Sequence, residues 1–193
     1  MNLILASGSP RRRELLQQMG LTFTVKPVDA DESLTPGLPP QEQVKLLSRK
    51  KAQAAKKENS PEDVILTADT VVVLENEILG KPRDKAQAEE MLRRLSGRHH
   101  LVLTGVTVTG PRGTETCCVT TEVHFRPLSD GEIAAYIASG EPMDKAGAYG
   151  IQGKGGLFVE KLLGDYFNVV GLPICQVGRM LKDAGIPILE EAL

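Results

Sequence analysis

The sequence predicts an α/β protein with a mixed sheet, and three observations carry that prediction. Short apolar runs alternate with helical repeats along the chain. In the middle, two long strand-like segments, 101–109 and 115–125, flank Gly110-Pro111-Arg112-Gly113, a hairpin signal that a purely parallel sheet lacks. The length of 193 residues, 41% of them hydrophobic, fits a single domain over 1–193, in one body or in two lobes, with no need of a disulfide or metal staple.

Element by element, residues 3–6 read as a buried strand that ends in Ser7-Gly8-Ser9-Pro10. Pro10 suits a first helical position with Ser9 as N-cap, and Leu15, Leu16 and Met19 give the helix an apolar face up to Gly20. Residues 22–26 alternate as a second strand, and 27–40, rich in Pro, Asp and Gly, form a loop. A long helix runs from Pro40 to about Lys57, with Val44, Leu47 and Ala54 inward and Lys50-Lys51 by default on the solvated face. Residues 64–68 form an apolar strand that resumes at 71–74 and turns at Glu75-Asn76-Glu77 into Ile78-Leu79. Asp84 with Gln87, and Ser129 with Glu132, are capping pairs that open two further helices. Residues 144–156 are a glycine-rich loop, 157–161 a strand, and Pro173 starts a last helix to about Ala184.

Composition excludes several functions. A net charge of −2 gives no field to draw nucleic acid or an anionic membrane, and 4% aromatic residues leave few platforms for stacking bases. No signal peptide or membrane-spanning run is readable. Cys117, Cys118 and Cys175 are odd in number, two of them adjacent, and read as reduced thiols of a cytoplasmic protein. His99-His100 reads as a surface pair where a loop enters a strand.

Five places could carry chemistry. At Ser7-Gly8-Ser9-Pro10-Arg11-Arg12-Arg13 a strand hands over to a helix, so free N–H groups and guanidinium groups meet in one turn. That suits a polyphosphate, or else is a solvated basic turn. Asp69, at the C-terminal end of the apolar strand 64–68, where α/β sheets place ligands, is a general base, a metal-binding carboxylate or a residue that bonds a bulge. Lys81 is held extended by Pro82 just after the hairpin that starts at Asp69, as phosphate chemistry would use it, or is a surface lysine. The glycines of 144–156 allow close backbone approach to a ligand, and Gln152 among them can both donate to and accept from a base edge; the alternative is a flexible loop. Asp29-Ala30-Asp31-Glu32 could offer oxygen ligands to a divalent cation, or is an acidic solvated loop.

Together these segments resemble the Maf family of nucleotide pyrophosphatases. The resemblance rests on Ser7-Gly8-Ser9-Pro10-Arg11-Arg12, Ala68-Asp69-Thr70, Gly80-Lys81-Pro82, Leu95-Ser96-Gly97, the run from Ser139 through Gly153, and Val170-Gly171-Leu172-Pro173, in the family's order. It implies an inosine-triphosphatase-like fold, an elongated bent mixed sheet with flanking helices and a cleft between two lobes. It implies hydrolysis of a nucleoside triphosphate to the monophosphate and pyrophosphate with a divalent cation, magnesium or manganese. The essential positions of the family fall on Ser7, Arg12, Glu32, Lys51, Asp69 and Lys81, with Glu32 and Asp69 as metal ligands. A branch of the family acting on 7-methyl-GTP carries Trp, Ser-Asp-Gln and Glu where this chain has Arg11, Ala68-Asp69-Thr70 and Gln152. The chain is therefore similar to the branch acting on dTTP and UTP, including modified pyrimidine nucleotides, with Arg11, Thr70 and Gln152 at the base. The family often dimerises, so a homodimer is compatible with the resemblance. The rival reading is a non-catalytic nucleotide-binding regulator of cell division and septum formation.

Overall fold

The computed structural model describes residues 1–189. Its strands are β1 (Leu3–Leu5), β2 (Thr24–Val25), β3 (Val64–Leu74), β4 (Glu77–Leu79), β5 (His99–Gly110), β6 (Gly113–Phe125) and β7 (Val159–Leu163). Its helices are α1 (Pro10–Gln18), α2 (Pro40–Lys57), α3 (Lys85–Leu95), α4 (Asp130–Ala138), α5 (Tyr166–Val170) and α6 (Ile174–Asp183). The strands make one seven-stranded sheet in the order β2-β1-β3-β5-β6-β7, with β4 paired to β3. β1 runs parallel to β2 and β3, whereas β4 and β7 join antiparallel, so the sheet is mixed as the sequence predicts. By its contacts the chain divides into two compact units. One holds Met1–Asp69, Thr104–Val119 and the chain from Gly171 onward; the other holds Thr70–Leu103 and Thr120–Val170.

In the first unit, Leu3, Ile4 and Leu5 are buried, as a strand with neighbours on both sides requires. α1 starts on Pro10, but the Ser9 side chain makes no capping bond; its amide donates to Ser7 Oγ at 3.3 Å instead. Gly20, at φ 72°, closes that helix. β2 is shorter than expected and both its residues are exposed, since it ends the sheet. α2 has the expected bounds and lies directly on β5. A Cβ at Gly105 would meet the Val44 carbonyl oxygen at 2.2 Å, so only glycine lets the two backbones approach this closely.

In the second unit, Val72, Leu74, Leu79, Leu92, Val123 and Phe125 belong to one buried core that the apolar faces of α3 and α4 cover. Glu75 and Asn76, both at positive φ, make the tight turn from β3 to β4. Ser129 and Glu132 form the full capping box on α4. Asp84 caps the Gln87 amide, but the Gln87 side chain turns to the Arg83 amide and leaves the box half made. The glycine-rich segment folds into three short 3-10 turns, Glu141–Asp144, Ala146–Ala148 and Lys154–Phe158. α5 was not legible in the sequence. The three cysteines are free, and among the described residues no helix is long and apolar enough to cross a membrane.

Candidate active site

β3 is one continuous strand, so Asp69 and Thr70 do not interrupt it between 64–68 and 71–74 as the sequence predicts; the strand runs through them to Leu74. Strand alternation puts Thr67 and Asp69 on one face, toward α2. The Thr67 hydroxyl donates to the Ser48 carbonyl at 2.7 Å, and two residues on, Asp69 Oδ1 lies 2.6 Å from Lys51 Nζ. Ser48, Ala52 and Ala55 are buried on α2, and Lys51 falls on the edge of that inward stripe, not on the solvated face. Ala55, not Ala54, completes the stripe. Lys51 Nζ also lies 2.7 Å from Glu32 Oε1. One ammonium thus joins two carboxylates, Lys51 and Asp69 each with a side chain 13% exposed and Glu32 at 60%.

The loop that presents Glu32 is clamped to α2 at three points. Gln43, buried, accepts the Thr35 amide at 3.0 Å; Lys50 pairs with Asp31 at 3.0 Å; Lys51 pairs with Glu32. The Ser33 hydrogen bonds, ahead of Lys50, hold the Asp31 carboxyl well below the usual carboxylate range. Among the described residues no group of three or more His, Cys, Asp or Glu side chains is placed to share a metal ion. The donor set available is the pair Glu32 and Asp69, both hard carboxylate oxygens.

Arg12 stands on the first turn of α1 and faces inward. Its Nε donates to the Gly171 carbonyl at 2.8 Å, and its Nη1 to Ser7 Oγ at 3.1 Å and the Ala68 carbonyl at 2.9 Å. The guanidinium therefore stitches the end of β1, the residue before Asp69 and the entry to α6. Burial lowers its pKa; Asp69 opposes that, and Arg11 adds to it by like-charge repulsion. Arg11 is half-buried on the same turn, which has no acidic residue.

Thr70, Lys81 and Gln152 belong to the other unit. Thr70 is half-buried, whereas Lys81 and Gln152 are exposed. The Gly80 carbonyl beside Lys81 accepts the Gly147 amide at 3.1 Å, so the glycine-rich segment and the Lys81 segment are tied. That segment wraps around Glu141. Its Oε1 accepts from Tyr136 Oη at 3.0 Å and the Gly155 amide at 3.2 Å, and its Oε2 from the Lys154 amide at 3.1 Å. Burial works to raise the Glu141 pKa, but these donors outweigh it and hold the carboxyl below its ordinary value.

The sequence matches the family model for Maf-like protein over residues 2–184. This chain belongs to the Maf-like family. Among its relatives, the dTTP/UTP pyrophosphatase of Anaeromyxobacter dehalogenans (strain 2CP-C) is 52% identical over 190 residues, 96% of this chain and 95% of that one. The dTTP/UTP pyrophosphatase of Bacillus velezensis is 50% identical over 184 residues, 95% of this chain and 97% of that protein. That of Shigella sonnei is 48% identical over 182 residues, 94% and 92% of the two chains. Among solved structures, the Staphylococcus aureus Ham1 protein matches at 17% identity and a TM-score of 0.47, over 65% of this chain and 72% of that one, a likeness too slight to carry argument.

Three features of this Maf-like chain escaped the sequence reading. His100 is buried, not on the surface; its Nε2 lies 2.7 Å from Tyr149 Oη and its ring meets Phe125 edge-on at 5.0 Å. Only the start of β5 carries a signal: His99 is exposed, His100 buried and Leu101 half-buried, and from Val102 to Thr109 both faces are covered. The Glu141–Tyr136 pair left a trace only in the glycines it requires. The Ser48–Thr67 bond left none, since a backbone carbonyl accepts it.

Proposed function

We propose that this Maf-like protein hydrolyses dTTP and UTP to the nucleoside monophosphate and pyrophosphate. The relatives named for that activity are 48–52% identical over nearly their whole length. The observation that carries the reading is the cluster of Asp69, Lys51 and Glu32, built on β3, α2 and a clamped loop next to the Arg12 stitch at Ala68. A carboxylate fixed by an ammonium, with a guanidinium anchored at its neighbour, is the set that in-line water attack on a phosphorus needs.

Asp69 orients and deprotonates the attacking water. Lys51 holds Asp69 Oδ1 and keeps that carboxylate aimed. Arg12 and the amides at the start of α1, with Ser7, receive the phosphates, and Lys81 takes charge that develops on the departing pyrophosphate. Arg11, Thr70 and Gln152 meet the base. Asp69 and Glu32 fit a divalent cation, since the pair already accommodates one positive charge and magnesium takes one or two carboxylates together with substrate phosphates. Such a cation supplies neutralisation of phosphate charge. The test is pyrophosphate release from a panel of nucleoside triphosphates: dTTP and UTP should lead it, and Asp69→Asn should lower kcat about 10²–10⁴-fold. Nucleotide binding without turnover would overturn the reading in favour of a regulator.

A further inference from the structure

We propose that Glu141, backed by Tyr136, is a positioning residue that sets base selectivity by fixing the loop that carries Gln152. The inference rests on the reading above, in which Gln152 meets the base. Amides on both sides of Gln152 end on this one pair: Gly150 donates to Tyr136 Oη at 3.1 Å, and Lys154 and Gly155 donate to the Glu141 carboxylate. Tyr136 is itself fixed, on the capped helix α4 and edge-on against Phe158 at 4.9 Å between ring centroids.

The glycines of the loop follow from the same contacts. A Cβ at Gly153 would meet Glu141 Oε1 at 2.3 Å, and one at Gly155 would meet Tyr136 Oη at 2.7 Å. A Cβ at Gly150 would meet Lys145 Cε at 2.6 Å, and Lys145 Nζ is held by the Glu141 carbonyl at 2.7 Å. These glycines are therefore not hinges. They let the backbone close around a carboxylate and a phenol, which leaves Gln152 exposed on a loop held at both flanks. A side chain on such a loop meets its ligand without a fresh ordering cost, and the difference falls on the nucleotide whose base edge it matches.

The experiment compares kcat/KM for dTTP and dCTP in wild type, Glu141→Ala, Glu141→Gln, Tyr136→Phe and Gln152→Ala, with amide hydrogen exchange on the same proteins. Glu141→Ala should lower the dTTP:dCTP ratio about tenfold, mainly through KM for dTTP, and speed exchange at Gly150, Lys154 and Gly155. Glu141→Gln keeps an acceptor for Tyr136 and Gly155 and should retain most of the ratio. Adding Glu141→Ala to Gln152→Ala should leave the ratio where Gln152→Ala puts it. A purely structural role would lower both nucleotides equally and leave the ratio alone. Unchanged exchange, or a wild-type ratio in Glu141→Ala while Gln152→Ala shifts it, overturns the positioning role. A wild-type ratio in Gln152→Ala overturns the base reading on which it rests. If Glu141→Ala does not fold, the same outcomes are read from Tyr136→Phe, which removes the oxygen shared by Glu141 and Gly150.

Discussion

Lys51 Nζ lies 2.6 Å from Asp69 Oδ1, and both side chains are largely shielded from water. The same ammonium reaches Glu32 at 2.7 Å, so its single positive charge is shared by two carboxylates and offsets part of their repulsion. Lys51→Met should cost about 3 kcal/mol of stability, because it leaves Asp69 charged and shielded without its partner. The double variant Lys51→Met with Asp69→Asn should recover most of that loss, since the uncompensated charge is gone. Urea unfolding of the three proteins checks this, and equal losses in the single and double variants would contradict it.

Gly105 decides how α2 carries Lys51 to β3. A Cβ there would meet the Val44 carbonyl oxygen at 2.2 Å and the Lys45 amide nitrogen at 2.9 Å, all of it backbone that cannot turn aside. Gly105→Ala should therefore destabilise the protein by about 1–3 kcal/mol as an overpacked core does, and lower pyrophosphate release by moving Lys51 off Asp69. Gly131, within α4 and with nothing within 4 Å of an added Cβ, is the contrast. Gly131→Ala should stabilise by about 0.4–1 kcal/mol through the unfolded chain, with activity unchanged.

Much of this arrangement was legible beforehand, for reasons that particular residues make plain. Pro40 and the apolar spacing of Val44 and Leu47 fix the start and inner face of α2, and the two-residue turn after Gly110 fixes the β5–β6 hairpin. Asp69 misled because a charged residue amid Leu66 and Val71 reads as a strand end. It continues the strand because Lys51 comes from another element to meet it, a partner that no local pattern announces. Lys51 itself lay four residues after Leu47, so its inward placement was readable from periodicity where the default for lysine was not. The glycines of 144–156 were visible as glycines, but the carboxylate they close around could be named only once Glu141 was seen among them.

His100 makes stability depend on pH. Burial pushes its imidazole down to about 3 from the ordinary 6.5, with His99 and His124 adding to the shift. Its Nδ1 has no hydrogen-bond partner among the described residues, so a second ring N–H would have nothing to donate to. The unfolded chain takes up a proton at this site as pH falls through 6.5, while the folded protein does not until about 3. The stabilisation is therefore complete above pH 6.5 and declines as pH falls, by up to about 1.4 kcal/mol per pH unit. His100→Phe should lose some stability at pH 8, with the Tyr149 bond gone, and should flatten the slope between pH 6 and pH 4 by about that amount. Parallel slopes for the two proteins would contradict the assignment.

Arg11 and Gln152 are assigned to the base, and exchanging them tests that assignment without touching Asp69, Lys51 or Glu32. Gln152 offers a donor and an acceptor to a uracil or thymine edge, whereas a glutamate offers acceptors alone and suits the donor edge of guanine. Tryptophan at position 11 supplies a flat face for a methylated, positively charged purine, which an arginine there would repel. Arg11→Trp with Gln152→Glu should therefore lower kcat/KM for dTTP and UTP relative to 7-methyl-GTP by at least about tenfold, the worth of one mismatched polar contact. The loop itself should keep its shape, because Gln152 is exposed and the amides at Gly150, Lys154 and Gly155 hold the backbone on Tyr136 and Glu141. Steady-state kinetics on the three nucleotides gives the answer, and a ratio equal to that of the wild type would remove both residues from the base site.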